Sequence, residues 1–153
     1  MKKLRKNGGF TLIEMLIVVA IIAILIAISI PLINSALERA RDATDQANER
    51  AAKAEAVLVY MGMGKLDDTA YSGGQFGVKP SAQTLSDNKP YYYDAGNGVI
   101  VADKPEAPYG KCTGSNCIDE YKKVNTYNGG NHVDMVLQVG VNANGEVLLQ
   151  WVK

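Results

Sequence analysis

The segment Gly8-Gly9-Phe10-Thr11-Leu12-Ile13-Glu14, followed at once by Met15 to Ile28, determines the architecture of this 153-residue chain. Met15 to Ile28 is a run of 14 residues whose side chains carry no polar atom except a methionine sulfur. The longer stretch from Phe10 to Ile33 is interrupted only by Thr11, Glu14, Ser29 and Pro31. Because about 20 apolar residues span a bilayer core as a helix, the sequence predicts a transmembrane helix over 10–33.

Basic residues are concentrated in front of this stretch. Lys2, Lys3, Arg5 and Lys6 lie within the first nine residues, and such a cluster holds its end of an apolar segment in the cytoplasm. A secretory signal is cleaved after its apolar run, whereas the paired small residues Gly8-Gly9 precede this one. Cleavage after Gly9 would remove the leader and leave the helix on a mature chain with 12 basic and 16 acidic residues. That mildly acidic balance favours no general binding to nucleic acid.

Glu14 is the one charged residue of the apolar stretch. A carboxylate near the end of a spanning helix costs about 1–3 kcal/mol unless it is paired, and a plain membrane anchor has no need of it. After cleavage, the new α-amine of Phe10 would lie one helical turn away, and the amine of a neighbouring copy could pair with Glu14. The carboxylate would then set the axial register between subunits. The alternative is a plain anchor.

Lys6 to Met15, followed by an apolar run, resembles the prepilin signature of type IV pilins and pseudopilins. The resemblance covers about 25 residues. It implies a leader peptide over residues 1–9, cleavage by a prepilin peptidase between Gly9 and Phe10, and N-methylation of Phe10. It also implies that Glu14 is the assembly glutamate, at the fifth position of the mature chain. Pro31, which lacks an N–H, is predicted to kink or locally melt the helix, as in many pilins.

The function that this resemblance implies is structural. We expect a single-pass precursor in the bacterial cytoplasmic membrane, in contact with lipid and with its N-terminus in the cytoplasm. It would polymerise with other pilin subunits into a surface pilus for adhesion, motility or aggregation, with a membrane platform and motor ATPases as indirect partners. The alternative is a minor pilin or a pseudopilin of a type II secretion or competence system, including a tip subunit that binds DNA or a surface.

Residues 34–61 are amphipathic and are predicted to continue the helix. Their apolar positions recur at spacings of three and four, which is helical periodicity: Ala36, Ala40, Ala43, Ala47, Ala51, Ala54, Leu58 and Met61. We expect this alanine stripe to pack against a sheet of the same chain. Glu49 with Lys53, and Arg41 with Asp45, are four residues apart and are predicted to lie on the outer face.

Residues 62–153 are predicted to form a globular head. A loop with little regular structure over 65–90 leads to a hairpin of Tyr91–Tyr93 and Val99–Ala102. A second hairpin joins Val133–Val141, where the odd positions are apolar, to Glu146–Val152. The predicted fold class is α+β, with a long N-terminal helix packed on an antiparallel sheet of about four strands.

Cys112 and Cys117 lie five residues apart in a polar loop, which indicates one small disulfide formed in an oxidising compartment. Metal binding by this pair is the less favoured alternative, since a structural zinc site takes about four protein ligands and the chain has one histidine. We therefore predict no metal and no cofactor.

Other candidate sites are weak. Calcium is conceivable at Asp67-Asp68 or Asp119-Glu120, where carboxylates are adjacent in loops, but solvated loops are the simpler interpretation. His132 is expected at a strand edge, and no nucleophile accompanies it. The tyrosines at 91–93 are expected to pack in the core and at its edge, because they lack the basic neighbours of a nucleic-acid site. No catalytic residue is predicted, and the chain is not expected to be an enzyme.

Overall fold

The structure is a computed structural model that describes residues 9–64, 66–67, 73–79, 84–113, 117 and 131–153. The chain divides into two compact units, one ending at Leu37 and the other beginning at Glu38. A single helix, α1, runs from Leu12 to Tyr60 and contributes to both units. The strands that the structure describes all lie in the second unit, so the α+β layout with a long N-terminal helix is confirmed.

In the first unit, α1 exposes every side chain from Leu12 to Leu37. This part of the helix is long and apolar enough to cross a membrane, as judged by length and composition. Isoleucine and valine have only moderate helix propensity in water, but in lipid a helix satisfies all its backbone hydrogen bonds internally. The helix is uninterrupted at Pro31, and the kink at Pro31 remains a prediction.

In the second unit, α1 packs against the sheet with a different face from the predicted one. The buried positions are Asp45, Glu49, Ala52, Ala56 and Val59. Every member of the predicted alanine stripe is exposed, so that expectation is wrong. Both faces carry alanines at helical spacing, and the periodicity alone could not separate them. The buried face is distinguished by two carboxylates, which a hydrophobicity pattern assigns to solvent.

The sheet has five strands in the order β1-β3-β2-β4-β5. Their bounds are Leu66–Asp67 for β1, Tyr91–Asp94 for β2, Val99–Val101 for β3, Val136–Val141 for β4 and Val147–Val152 for β5. The four strands β3, β2, β4 and β5 are antiparallel neighbours, as predicted, and both predicted hairpins are present. The short β1 pairs in parallel with β3 and lies within the segment that was expected to be a loop.

The second hairpin begins later than predicted. Asp134 adopts a φ of 63° in a turn, and this left-handed conformation interrupts an extended strand. Strand β4 therefore starts at Val136, after the turn. Met135 lies just before the strand but is still buried in the core. It was predicted to face the core as part of the strand, and it does so from the preceding turn.

The core lies between α1 and one face of the sheet. It contains Ala52, Ala56 and Val59 from the helix together with Tyr91, Tyr93, Ile100, Leu137, Val139, Leu149 and Trp151 from the strands. Tyr91 and Tyr93 are thus core residues, as expected.

The opposite face of β4 is also covered, which the simple alternation did not predict. Val78, Leu85 and Leu148 form a second small cluster there, and Phe76 pairs through its backbone with Val141. Gly140 permits this close approach, because a Cβ at that position would lie 2.8 Å from the carbonyl oxygen of Gly77. All six residues of β4 are buried as a result.

Candidate processing and assembly site

The N-terminal start of α1 is closed by a reciprocal pair of hydrogen bonds. The backbone N–H of Thr11 donates to Oε2 of Glu14 over 2.7 Å, and the N–H of Glu14 donates to Oγ1 of Thr11 over 3.3 Å. The Thr11 hydroxyl also donates to Oε2 of Glu14 over 2.8 Å. This is a capping box, in which an N-cap threonine and a glutamate three residues later satisfy backbone donors at the helix start.

The predicted cleavage point lies immediately before this capping box. Gly9 and Phe10 are not helical, and the Phe10 side chain is 81% exposed. A Cβ added at Gly9 would meet no atom within 4 Å among the residues that the structure describes. Gly9 and Phe10, the residues of the predicted cleavage point, therefore lie exposed in front of the helix.

The capping box gives Glu14 a partner within a single subunit. The premise that Glu14 has no use in an unassembled anchor is therefore wrong. The sequence pattern Thr-x-x-Glu before an apolar run is itself a signature of a helix N-terminus, so the role of Thr11 could have been inferred from the sequence. The role of Glu14 in setting register between subunits remains a prediction.

The second unit contains a buried polar cluster on the side of α1 that faces the sheet. Asp45 accepts hydrogen bonds from the backbone N–H groups of Lys111, over 2.9 Å, and Cys112, over 2.8 Å. Nδ1 of His132 lies 3.1 Å from Oδ2 of Asp45. One carboxylate on the helix thus holds two separate loop segments, since buried polar groups need hydrogen-bond partners.

A ring stack joins this carboxylate to a second one on the same helix. The imidazole of His132 stacks on the indole of Trp151, with ring centroids 4.7 Å apart. The indole Nε1–H donates to Oε1 of Glu49 over 2.8 Å. His132 is fully buried and lies before β4, so its expected place at a strand edge is wrong. Asp45 and Glu49 are also buried, so their predicted place on the outer face of α1 is wrong. Arg41, the predicted neighbour of Asp45 on that face, pairs with Glu38 over 2.8 Å.

Tyr109 connects two strands next to this cluster. Its hydroxyl donates to the carbonyl oxygen of Tyr93 over 2.7 Å and accepts from the N–H of Leu137 over 2.9 Å. Burial raises the pKa of Tyr109 well above its ordinary value, while the hydrogen bond from Leu137 opposes that rise. The phenol therefore stays protonated and joins the backbones of β2 and β4 through its two hydrogen bonds.

The two cysteines lie beside the Asp45 contacts. The sulfur atoms of Cys112 and Cys117 are at disulfide distance, with Cα atoms 5.7 Å apart, and both residues are buried. Thr113, which follows Cys112, donates from its hydroxyl to Glu38 over 2.6 Å. That hydrogen bond is the main cause that lowers the pKa of Glu38. The cysteine segment is thus attached to α1 at two points.

The candidate metal ligands in the sequence were the two cysteines and two pairs of adjacent carboxylates. Among the residues that the structure describes, no group of three or more His, Cys, Asp or Glu side chains could hold a metal ion. Of the carboxylates considered for calcium, Asp67 lies in β1, and Asp68, Asp119 and Glu120 lie outside the described residues. The polar cluster on α1 is built from hydrogen bonds between the helix, loops and β5, which is a structural arrangement.

Comparison with known proteins identifies the N-terminal segment. A family model described as the prokaryotic N-terminal methylation motif matches residues 4–30. No curated protein and no solved structure shows significant similarity to the chain. The match spans the second part of the basic leader, with Arg5 and Lys6, the Gly9–Phe10 bond, the capping box and most of the apolar helix. The chain therefore carries the type IV prepilin-like signal that is found in pilins and pseudopilins.

Proposed function

We propose that this protein is a structural subunit of a type IV pilus, made as a membrane precursor and polymerised through α1 after cleavage between Gly9 and Phe10. The observation that carries the proposal is the methylation motif at residues 4–30. It is supported by the helix of exposed apolar side chains that follows the Gly9–Phe10 bond. The protein catalyses no reaction in this role, and its function is assembly.

Cleavage prepares the subunit by removing charge and creating an amine. The basic leader leaves, and Phe10 gains an α-amino group that a peptidase of the prepilin class then methylates. The amine of one subunit pairs with Glu14 of its neighbour, because a carboxylate in an apolar environment needs a charged or hydrogen-bonding partner. In this step Glu14 exchanges its local contacts with Thr11 for a contact between subunits.

Polymerisation moves the apolar part of α1 from lipid to the filament interior. Contact with lipid tails is replaced by close packing between helices, which dispersion forces and polar contacts favour. The kink at Pro31 would adapt the helix to this packing. The residues from Glu38 onward supply the water-facing part of the filament, and the disulfide between Cys112 and Cys117 fits a surface outside the cytoplasm.

A minor pilin or a pseudopilin of a secretion or competence system is the second candidate. The same motif at residues 4–30 supports it equally, because the motif serves membrane insertion and processing in both classes. The two candidates differ in abundance and in the machinery that assembles them, including the platform and motor ATPases.

Mass spectrometry of filaments sheared from the cell surface tests the proposal. We expect the main species to begin at methylated Phe10, to lack residues 1–9, and to gain two hydrogens in mass when Cys112 and Cys117 are reduced. A trace amount of this chain in filaments made of another subunit would favour the minor pilin. Absence from surface filaments, with the leader still attached, would contradict both.

A further inference from the structure

Thr11 separates the peptide bond to be cleaved from the helix. As N-cap, it supplies the first carbonyl of the helical ladder, which accepts from the N–H of Met15 over 3.3 Å. The carbonyl of Gly9 is two residues outside that ladder. A protease has to reach and polarise the carbonyl that it attacks, and within a helix that oxygen is already hydrogen bonded to the N–H four residues later. The position of the helix start therefore controls access to the Gly9–Phe10 bond.

Without the capping box, the helix start is free to move outward. An inward move would expose unsatisfied N–H groups within the apolar stretch, which is costly in lipid. An outward move carries those groups toward water. The next residue outward with a good N-cap side chain is Asn7. A helix that begins after Asn7 includes Gly8, Gly9 and Phe10, and it places the bond to be cleaved inside the ladder.

We propose that Thr11 is a positioning residue for processing: its capping box with Glu14 fixes the helix start at Leu12 and thereby keeps the Gly9–Phe10 bond extended and accessible to the peptidase. This inference rests on the proposed function, which supplies the cleavage itself. In that step water hydrolyses the amide, and the C–N bond between Gly9 and Phe10 breaks. The carbonyl carbon of Gly9 takes the hydroxyl group, the nitrogen of Phe10 takes the proton, and no redox partner is needed.

The proposal gives Glu14 two successive tasks that can be separated by substitution. Before cleavage its side chain accepts the backbone N–H of Thr11, which a neutral glutamine can also do, since glutamine serves at this position of a capping box. After cleavage the proposed pairing with an amine requires the negative charge. Glu14→Gln is therefore expected to keep processing and to lose assembly.

The test compares processing of full-length precursors in membranes that contain the prepilin peptidase. Thr11→Val keeps the shape of threonine and removes the hydroxyl, whereas Thr11→Ser keeps the hydroxyl and removes the methyl group. Loss of the N-cap shifts the equilibrium from the extended toward the helical form of this segment by about fivefold, so we expect Thr11→Val to be cleaved about two- to fivefold more slowly than wild type. We expect Thr11→Ser and Glu14→Gln to be cleaved at close to the wild-type rate, because both retain capping groups.

A second measurement separates helix positioning from direct recognition of the hydroxyl by the peptidase. The Cα chemical shift of Phe10, measured by NMR on each full-length precursor in detergent micelles, reports whether this residue is helical. We expect a larger helical shift for Thr11→Val than for wild type or Thr11→Ser. Slow cleavage of Thr11→Val without that shift would overturn the proposal, as would the shift with normal cleavage.

The outcome for wild type distinguishes failure of this inference from failure of the proposed function. If the wild-type precursor is not cleaved between Gly9 and Phe10, the proposed function fails and takes the inference with it. If wild type and all variants are cleaved at equal rates, the function stands and the positioning role of Thr11 is wrong.

Discussion

Replacing Asp45 by alanine should destabilise the second unit more than any exposed substitution on the same helix. The carboxylate accepts the N–H groups of Lys111 and Cys112 and lies 3.1 Å from Nδ1 of His132. Alanine would leave the buried Cys112 N–H and the buried imidazole without this partner. Each such buried polar group costs about 1–3 kcal/mol, so we expect a loss of roughly 2–6 kcal/mol in the free energy of unfolding.

Urea unfolding of the full-length protein in detergent micelles would measure this loss. Trp151 is the single tryptophan of the sequence, and its indole stacks on His132, so its fluorescence reports on this cluster. Asp42→Ala is the matched control, because Asp42 lies one turn earlier on α1 and accepts from Gln46 of the same helix over 2.9 Å. Such a pair within one helix contributes only about 0.2–0.5 kcal/mol.

Asp45→Asn would refine the result. It keeps the shape and one acceptor oxygen, so its effect should lie between those of wild type and Asp45→Ala. A loss below about 1 kcal/mol for Asp45→Ala, or equal losses for Asp45→Ala and Asp42→Ala, would refute the argument. Either result would mean that the loop segments remain in place without the carboxylate.

Four further substitutions test residues 62–153. Hydrogen bonding to Asn97 lowers the pKa of Asp94 below its ordinary value of 3.8. The stabilisation from this carboxylate is therefore complete above about pH 3.8 and is lost as the pH falls through the folded-state pKa. Asp94→Asn should remove this dependence and so flatten the acid limb of a plot of unfolding free energy against pH. Gly77→Ala should cost at least about 2 kcal/mol by urea unfolding, because a Cβ there would lie 2.6 Å from a backbone oxygen and the φ of 63° is itself strained for alanine. Gly98→Ala should cost about 1 kcal/mol, because its φ of 69° is similarly strained but its Cβ would meet only the Tyr93 hydroxyl, at 4.0 Å. Tyr109→Phe should cost about 2 kcal/mol or more in thermal unfolding, since its hydroxyl bridges two backbone groups; an unchanged midpoint would refute that bridge.

Local patterns were sufficient to predict the order of the helix and the four antiparallel strands, although not the short strand β1. The apolar run gave the helix, and turn residues such as those at 142–145 gave the second hairpin. The prepilin-like signal was also evident in the sequence, because its chemistry is confined to neighbouring residues from Lys6 to Met15. The capping box between Thr11 and Glu14 belongs to the same class of local signals and was equally predictable.

Long-range polar contacts could not be predicted in this way. Asp45 and His132 are 87 residues apart, and Trp151 and Glu49 are 102 residues apart. A carboxylate on an amphipathic helix is ordinarily assigned to solvent, since an unpaired buried charge is costly. Only the tertiary structure brings the partners that remove this cost. The same limitation explains why the wrong face of α1 was assigned to the sheet.

The choice of helix face can be tested with two adjacent alanines. Ala51 belongs to the predicted stripe and is exposed, whereas Ala52 has no exposed surface and lies in the core. Leucine and alanine are both good helix formers, so substitution by leucine changes mainly the volume at each position.

Ala52→Leu should destabilise the protein by about 1–3 kcal/mol, because extra methylene groups would be forced between α1 and the sheet. Ala51→Leu should change the free energy of unfolding by no more than about 0.5 kcal/mol. Both are measured by urea unfolding in the same micelles. Since the two residues are neighbours in one helix, differences in micelle binding or helix propensity largely cancel. A larger loss for Ala51→Leu than for Ala52→Leu would restore the alanine stripe as the packed face and remove Asp45 and Glu49 from the core.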